Sequence, residues 1–314
     1  LWGNVDKKKV LIVGFGRMGL SHAALVSGIL GPENVDFHVC DPGFFSRLVA
    51  RALLKEVAFV SLKALKDSRD LLHSFDCILL TAPPFLRSEF LDMLSGFAGR
   101  VFVEKPVFCR LAAGQMSGYV LQHAPLNPLL GESLRKLQVR RVTARLLTNA
   151  SFESITKGWR SQSFGSVLHE FGGHVLSLVG AVLPGRDVFQ GKVGDIQLEV
   201  ACHSRDEVRF AFSEGGVRYS IELLANRQDV RKASYDIQLE TSEGVVCYDL
   251  YSIKSDIPGF PETSIPEQGV NVSFYLRGFE FTRQMTAFLE GEMDVLSSEQ
   301  IENMEKVLLA VERS

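Results

Sequence analysis

Long hydrophobic runs are missing from this 314-residue sequence: no apolar stretch reaches the roughly 20 residues that a membrane-spanning helix needs. Charge of one sign is missing too. The 34 Lys and Arg against 37 Asp and Glu leave a formal net charge of −3, which gives no electrostatic footprint for nucleic acid or an anionic membrane. Cysteine is sparse, with five residues (Cys40, Cys77, Cys109, Cys202, Cys247) scattered along the chain and no Cys-x-x-Cys pair, which argues against a disulfide framework or a thiolate metal site. Several sit in apolar runs where a thiol acts as a small hydrophobe, and the pattern fits a reducing cytoplasm. No Gly-x-Ser-x-Gly elbow appears, so Ser-His-Asp hydrolase chemistry has no support. The stretch Asp6-Lys7-Lys8-Lys9 followed by Val10 to Val13 has a basic head, but its apolar part is too short for a secretory signal and is interrupted by Gly14 and Gly16, as a turn would do.

What is present reads as a globular protein: 46% hydrophobic and 23% charged residues, in a chain long enough for two cores. The first third alternates strand and helix signals. Strands are expected at Lys9–Val13, Val35–Cys40, Ala58–Val60, Asp76–Thr81, Arg100–Glu104 and Gly118–Leu121, and helices at Gly19–Ile29 and Phe44–Leu54. Continuous apolar strands alternating with helices imply a parallel sheet covered on both faces. After about His123 the style changes. Strand candidates at Lys136–Leu147, Ile196–Cys202, Val208–Phe212, Val217–Leu223, Ser234–Leu239 and Val245–Leu250, punctuated by Gly215-Gly216 and Glu243-Gly244, imply an antiparallel sheet. One helical interruption covers Gly165–Leu183, Asp256–Val270 reads as a loop, and Phe274–Glu312 reads as helical with a break near Gly291–Ser297. The expected fold is α/β: a doubly wound Rossmann domain over residues 1–123, then an α+β domain with a large, mostly antiparallel open sheet over 124–314.

Gly14-Phe15-Gly16-Arg17-Met18-Gly19 fits G-x-G-x-x-G directly after a strand and opening a helix. The first glycine permits the tight turn, the second lets backbone approach a pyrophosphate, and the third lets helix and strand pack closely. Asp41 closes the second strand 22 residues after Gly19. A carboxylate there accepts hydrogen bonds from ribose hydroxyls and repels a 2′-phosphate, so NAD is favoured over NADP. It also suits the turn before Pro42-Gly43, and Arg47 is close enough in sequence to offer a phosphate partner. FAD and S-adenosylmethionine sites can begin with a similar turn.

Glu104-Lys105-Pro106 ends a strand on the sheet's carboxyl edge. With the glycine loop upstream, this resembles the Gfo/Idh/MocA family of NAD(P)-dependent oxidoreductases. Further landmarks follow in the same order: Thr81-Ala82-Pro83 resembles that family's turn near the nicotinamide ribose, and Gly118–Pro125 its last Rossmann strand leading into the second domain. Gly158-Trp159-Arg160 and Gly165–His174 resemble its substrate helix with the active-site histidine. The resemblance covers essentially the whole chain. It implies Lys105 and His174 as catalytic groups, and substrate contacts from Glu170, Trp159, Arg160 and Gln122. It also implies cofactor contacts from the glycine loop, Asp41, Thr81, Ala82, Pro83, Glu104 and Lys105. It implies C-terminal helices that return to the Rossmann domain, and a homodimer or homotetramer through the open sheet. The chemistry is coherent on its own terms. A histidine with a reference pKa near ~6.5 can take or supply the hydroxyl proton, and a lysine ammonium can stabilise a developing alkoxide.

Departures from the family pattern are Glu170 where aspartate is usual, Ser177 where a carboxylate is common, Arg87 where histidine is common, and Gln122 where arginine is common. His169-Glu170 and His174 invite comparison with a zinc helix. Their five-residue step, at ~100° per residue, places the two imidazoles on different faces, so no metal is expected. The leading expectation is an NAD-dependent dehydrogenase or reductase acting on a carbinol or keto carbon of a sugar, polyol or nucleotide-linked sugar. The alternatives are a glycoside-cleaving enzyme that oxidises its sugar transiently, and a non-catalytic NAD-binding sensor or assembly protein.

Overall fold

The computed structural model describes residues 7–107, 110–153, 165–183, 188–191, 196–266, 269–272 and 275–314. Its elements run β1 (Lys8–Val13), α1 (Arg17–Leu30), β2 (Val35–Cys40), α2 (Phe44–Leu53), β3 (Val57–Phe59), α3 (Leu62–Asp67), α4 (Arg69–His73), β4 (Cys77–Leu80), α5 (Pro84–Met93), β5 (Arg100–Val103), β6 (Gln115–Ser117), α6 (Asn127–Leu134), β7 (Val139–Leu147), α7 (Gly173–Val182), β8 (Gln197–His203), β9 (Glu207–Glu214), β10 (Val217–Leu224), β11 (Ser234–Thr241), β12 (Val245–Tyr248), β13 (Ser252–Ser255), β14 (Thr263–Ser264), β15 (Gly269–Val272), β16 (Tyr275–Gly278), α8 (Phe279–Glu290) and α9 (Ser298–Arg313). They form two compact units, residues 1–118 with 269–294, and residues 119–268 with 295–314.

The first unit is a Rossmann sheet of six parallel strands in the order β3-β2-β1-β4-β5-β6. Strand order reverses at β1, which puts the carboxyl ends of β1 and β4 beside the crevice where such sheets receive ligands. Val10, Ile12, Cys77, Leu79 and Phe102 line one core with Ala23, Leu25 and Val26 of α1 and Met285, Ala287 and Phe288 of α8. That mutual burial is why β4 reads as an unbroken apolar run. Arg100 at the start of β5 donates to the Phe288 and Leu289 carbonyls, fastening the returning helix α8 to the sheet.

Three expectations change here. The last strand lies at β6, before Gly118 rather than from it: the Gly118 N–H donates to the Val103 carbonyl at 2.7 Å, and Val120–His123 then curls into a short 3₁₀ turn. A Cβ at Gly118 would come within 2.9 Å of both Glu104 Cα and Lys105 N, so close backbone approach, not strand pairing, explains the glycine. The region expected to be helical from Phe274, with a break near Gly291–Ser297, begins instead with β16, and the Pro-rich loop before it carries β14 and the start of β15.

The second unit holds eight strands in the order β14-β13-β12-β11-β7-β10-β9-β8, antiparallel except for the parallel pair β7–β10. Val142, Ala144, Leu146, Phe210, Phe212, Tyr219, Ile221 and Leu239 are buried on one face. Exposed positions carry cross-strand pairs such as Arg145–Glu222 at 2.7 Å and Arg218–Glu199 at 2.7 Å. Among the described residues no helix is long and apolar enough to cross a membrane. Of the cysteines described, Cys40 and Cys77 are buried, and burial together with the Asp41 charge pushes the Cys40 thiol up to about 11.

Leu79, fully buried in β4, and Phe45, 78% exposed on α2, separate core from surface. Leu79→Ala is expected to cost about 2–5 kcal/mol and lower the melting temperature by about 5–15 °C. Phe45→Ala is expected to change stability by less than about 0.5 kcal/mol. Thermal melts of the two variants check both.

Candidate functional site

The glycine loop is built as its residue types require. Gly14 adopts φ +88°, and a Cβ there would lie 2.7 Å from the Ala82 amide nitrogen; one on Gly19 would strike the Gly14 carbonyl. Gly16 N-caps α1 without any side-chain cap, no acidic residue follows in the first turn, and a Cβ on Gly16 would meet open space. The result is a helix start with its positive dipole end at the turn and no side chain at the N-cap, which suits a phosphate group. Asp41 braces the loop: Oδ2 accepts from Phe15 N at 2.6 Å and Oδ1 from Gly43 N at 2.7 Å. Each carboxylate oxygen retains acceptor capacity beyond these bonds. Arg47, by contrast, lies over the Phe59 ring, 4.8 Å from its centroid.

Thr81, at the carboxyl end of β4, donates through Oγ1 to the Val13 carbonyl at 3.1 Å and to the Gly14 carbonyl at 2.5 Å, joining the second turn to the first. Ala82 is buried and packs against Gly14. Pro83 leads into α5, whose first residue is Pro84, a position where a missing N–H does no harm.

The turn Glu104-Lys105-Pro106 follows β5 on the same edge. Glu104 is 4% exposed, and Lys105 is half-buried with a cis bond to Pro106. Glu104 Oε1 lies 2.7 Å from His22 Nε2, and Oε2 accepts the Lys105 amide at 3.1 Å. Burial alone would push the Glu104 carboxyl up. The hydrogen bond and charge of His22, with Lys105 and Arg87 adding to them, overcome that and hold it below the ordinary carboxylate range. His22 lies on the buried stripe of α1 with Gly19, Ala23 and Val26, and its ring packs on Phe102. The sequence reading did not single it out, although a histidine on that stripe was the available signal.

In the second unit, the expected helix Gly165–Leu183 is continued by α7 but begins with a π-helical turn at Leu168–Gly172. The regular 100° step used to separate His169 from His174 therefore does not hold across this turn. His169 is engaged locally, Nδ1 with Ser166 Oγ at 2.8 Å and Nε2 with Glu312 at 3.1 Å. Glu170 is half-buried within the π turn, and its N–H donates to the Ser166 carbonyl. His174 is the second residue of α7, with its ring edge-on to Tyr119 at 6.0 Å between centroids. The Gly172-Gly173 pair makes room on two sides: a Cβ on Gly172 would lie 2.9 Å from Leu308, and one on Gly173 would enter the Tyr119 ring. Tyr119 is 1% exposed, and its hydroxyl has no hydrogen-bond partner among the described residues. It too escaped the sequence reading.

Ser177, standing where a carboxylate is common in the family resembled, is fully buried and donates to the His174 carbonyl at 2.9 Å. Gln122 is 1% exposed, and its side-chain oxygen accepts from Val295 N at 2.9 Å and Leu296 N at 3.2 Å, leading the chain into α9. Trp159 and Arg160 lie outside the described residues.

Because folded Glu104 holds its proton less tightly than the unfolded chain does, its contribution to stability is complete above the ordinary value of 4.5 and is lost as pH falls through the depressed one. Glu104→Gln is therefore expected to lower the melting temperature at neutral pH and to lose that deficit progressively as pH falls below 4.5 through the depressed value. Melts of both proteins across this range check it, and a deficit independent of pH would contradict it.

No protein-family model and no curated protein sequence matches the chain. Solved structures match it over nearly its whole length. An oxidoreductase domain protein from Kribbella flavida is 18% identical, with a TM-score of 0.73, covering 98% of this chain and 97% of the other. Levoglucosan dehydrogenase in complex with NADH and levoglucosan is 15% identical, with a TM-score of 0.73 and coverages of 98% and 97%. GenD2 from gentamicin A biosynthesis, in complex with NAD, is 18% identical, with a TM-score of 0.70 and coverages of 99% and 94%. At such identities the likeness is one of fold, and it extends over both units of the chain.

Proposed function

We propose that this chain binds NAD(H) at the glycine loop and acts as an oxidoreductase on a carbinol or keto carbon of a sugar, polyol or nucleotide-linked sugar. The observation that carries this reading is the start of α1, where Gly16 supplies no side-chain cap and a Cβ there would meet nothing within 4 Å, placed at the sheet's switch point with the Lys105 turn on the same carboxyl edge. The residues fit a dinucleotide. The first-turn N–H groups of α1 would hold the pyrophosphate, Asp41 the adenosine ribose, and the turn Thr81-Ala82-Pro83 the nicotinamide end. Asp41 favours NAD, since a carboxylate at that ribose repels a 2′-phosphate, and Arg47 is stacked on Phe59. When bound, the nicotinamide supplies or accepts the hydride.

The chain's own groups manage the proton and the oxygen. Lys105 donates a hydrogen bond to the substrate oxygen and stabilises negative charge that develops on it. His174 takes the hydroxyl proton during oxidation and returns it during reduction, while Glu170 orients substrate or imidazole. A sugar-like substrate is supported by the fold shared with levoglucosan dehydrogenase, whose solved complex contains levoglucosan.

The test is NADH formation from NAD across sugars, polyols and nucleotide-sugars. With a turned-over substrate in hand, Lys105→Ala is expected to lower kcat about 10²–10³-fold and His174→Ala about 10²–10⁴-fold, the latter leaving NADH affinity within a few-fold. Absence of turnover on every member of the panel, or full activity in both variants, would overturn the assignment.

A further inference from the structure

Arg87 on α5 is 5% exposed, an unusual place for a guanidinium, and it donates to three backbone carbonyls. Its Nε donates to the Ala82 carbonyl at 2.7 Å. Its Nη1 donates to the carbonyl of Glu104 and, at 2.7 Å, to that of Pro106. Glu104 and Pro106 are the residues on either side of Lys105, so one guanidinium grips the chain immediately before and after the lysine while also holding the neighbouring turn. On its other flank the same segment is held by His22 through the Glu104 carboxylate.

We propose that Arg87 is a positioning residue that locks the Lys105 turn to the Thr81-Ala82-Pro83 turn, and so fixes the backbone from which the Lys105 ammonium is presented to the cofactor and substrate. The planar fork is what the task needs: it sends donors in fixed directions to two separate turns, whereas an ammonium is a compact point charge and an imidazole has only two ring nitrogens. The three carbonyls lie at a buried edge, so withdrawing the fork leaves acceptors short of donors, and the turns must shift or admit water to recover them. The positive charge also lies near the Glu104 carboxylate and helps keep it ionised.

This inference rests on the NAD(H) reading, and the experiment separates the two. Hydrogen exchange by mass spectrometry is compared for the wild type, Arg87→Ala and Arg87→Lys, each also titrated with NADH by fluorescence. In both variants, exchange in peptides covering residues 81–83 and 104–107 is expected to accelerate at least about tenfold while β1 and β2 stay within about twofold of wild type, and NADH affinity to fall about tenfold. Arg87→Lys keeps the buried charge and serves as the folded comparison if Arg87→Ala does not accumulate. Wild-type exchange at both turns, equal loosening of β1 and β2, restored protection in Arg87→Lys, or loosened turns with unchanged NADH affinity would each overturn the positioning role. A wild type that fails to bind NADH would instead overturn the cofactor reading, and the exchange rates would still decide whether Arg87 ties the turns.

Discussion

Polar groups carried below the surface of an apolar sheet must find partners there, and at the carboxyl edge of the six-stranded sheet they find one another. Glu104 is the pivot. Its carboxylate is bonded to His22 of α1 and to the next residue's amide, and its carbonyl accepts from Arg87 of α5. A buried carboxylate without partners would be protonated or pushed outward. With them it stays ionised, and three elements distant in sequence meet at one turn.

The glycine loop is drawn into the same construction. Thr81 bonds the Gly14 carbonyl, Ala82 packs where a Cβ on Gly14 would sit, and Ala82 in turn is held by Arg87. A chain of contacts thus runs from the start of α1 through the end of β4 to Lys105. Rigid backbone in this region suits the role proposed for Lys105, since charge stabilisation depends on donors already in place before reaction. In the second unit, His174 has a comparable backing: Ser177 bonds its carbonyl, Tyr119 flanks its ring, and Gly173 makes room for that tyrosine.

Much of this was legible from residue patterns. The elements β1, α1, β2 and α2 match their expected spans to within one or two residues, because apolar runs and the glycine turn mark them locally. Six of the eight strands of the second sheet were legible from apolar alternation and glycine-containing turns, whereas the short edge strands β13 and β14 were not assigned. Helices α3, α4 and α6 were not assigned, being short, and α5, as long as α2, was missed although Pro84 at its start was a usable signal. The displaced strand at Gly118 arose because Tyr119-Val120-Leu121 is as apolar as a strand, while the Glu104–Lys105 backbone that excludes a Cβ at Gly118 comes from elsewhere in the chain. The π turn before α7 leaves no clear mark in composition. Arg87 was visible only as a departure from the family resembled; what it holds depends on two turns converging, which no local pattern encodes. Ser177 and Gln122 likewise read as missing charges until their bonds to the His174 carbonyl and to the Val295 and Leu296 amides explained their chemistry.

Calorimetric titration of NADH into wild type and Gly16→Asp tests most directly whether the start of α1 receives the dinucleotide's phosphates. Aspartate is a good N-cap and supports the helix, but its carboxylate would occupy the space where the phosphates bind. One-to-one binding by the wild type, weakened at least about 100-fold in a variant that melts no lower, is the expected result. Equal affinity in the two proteins, or no binding heat in the wild type, would contradict it.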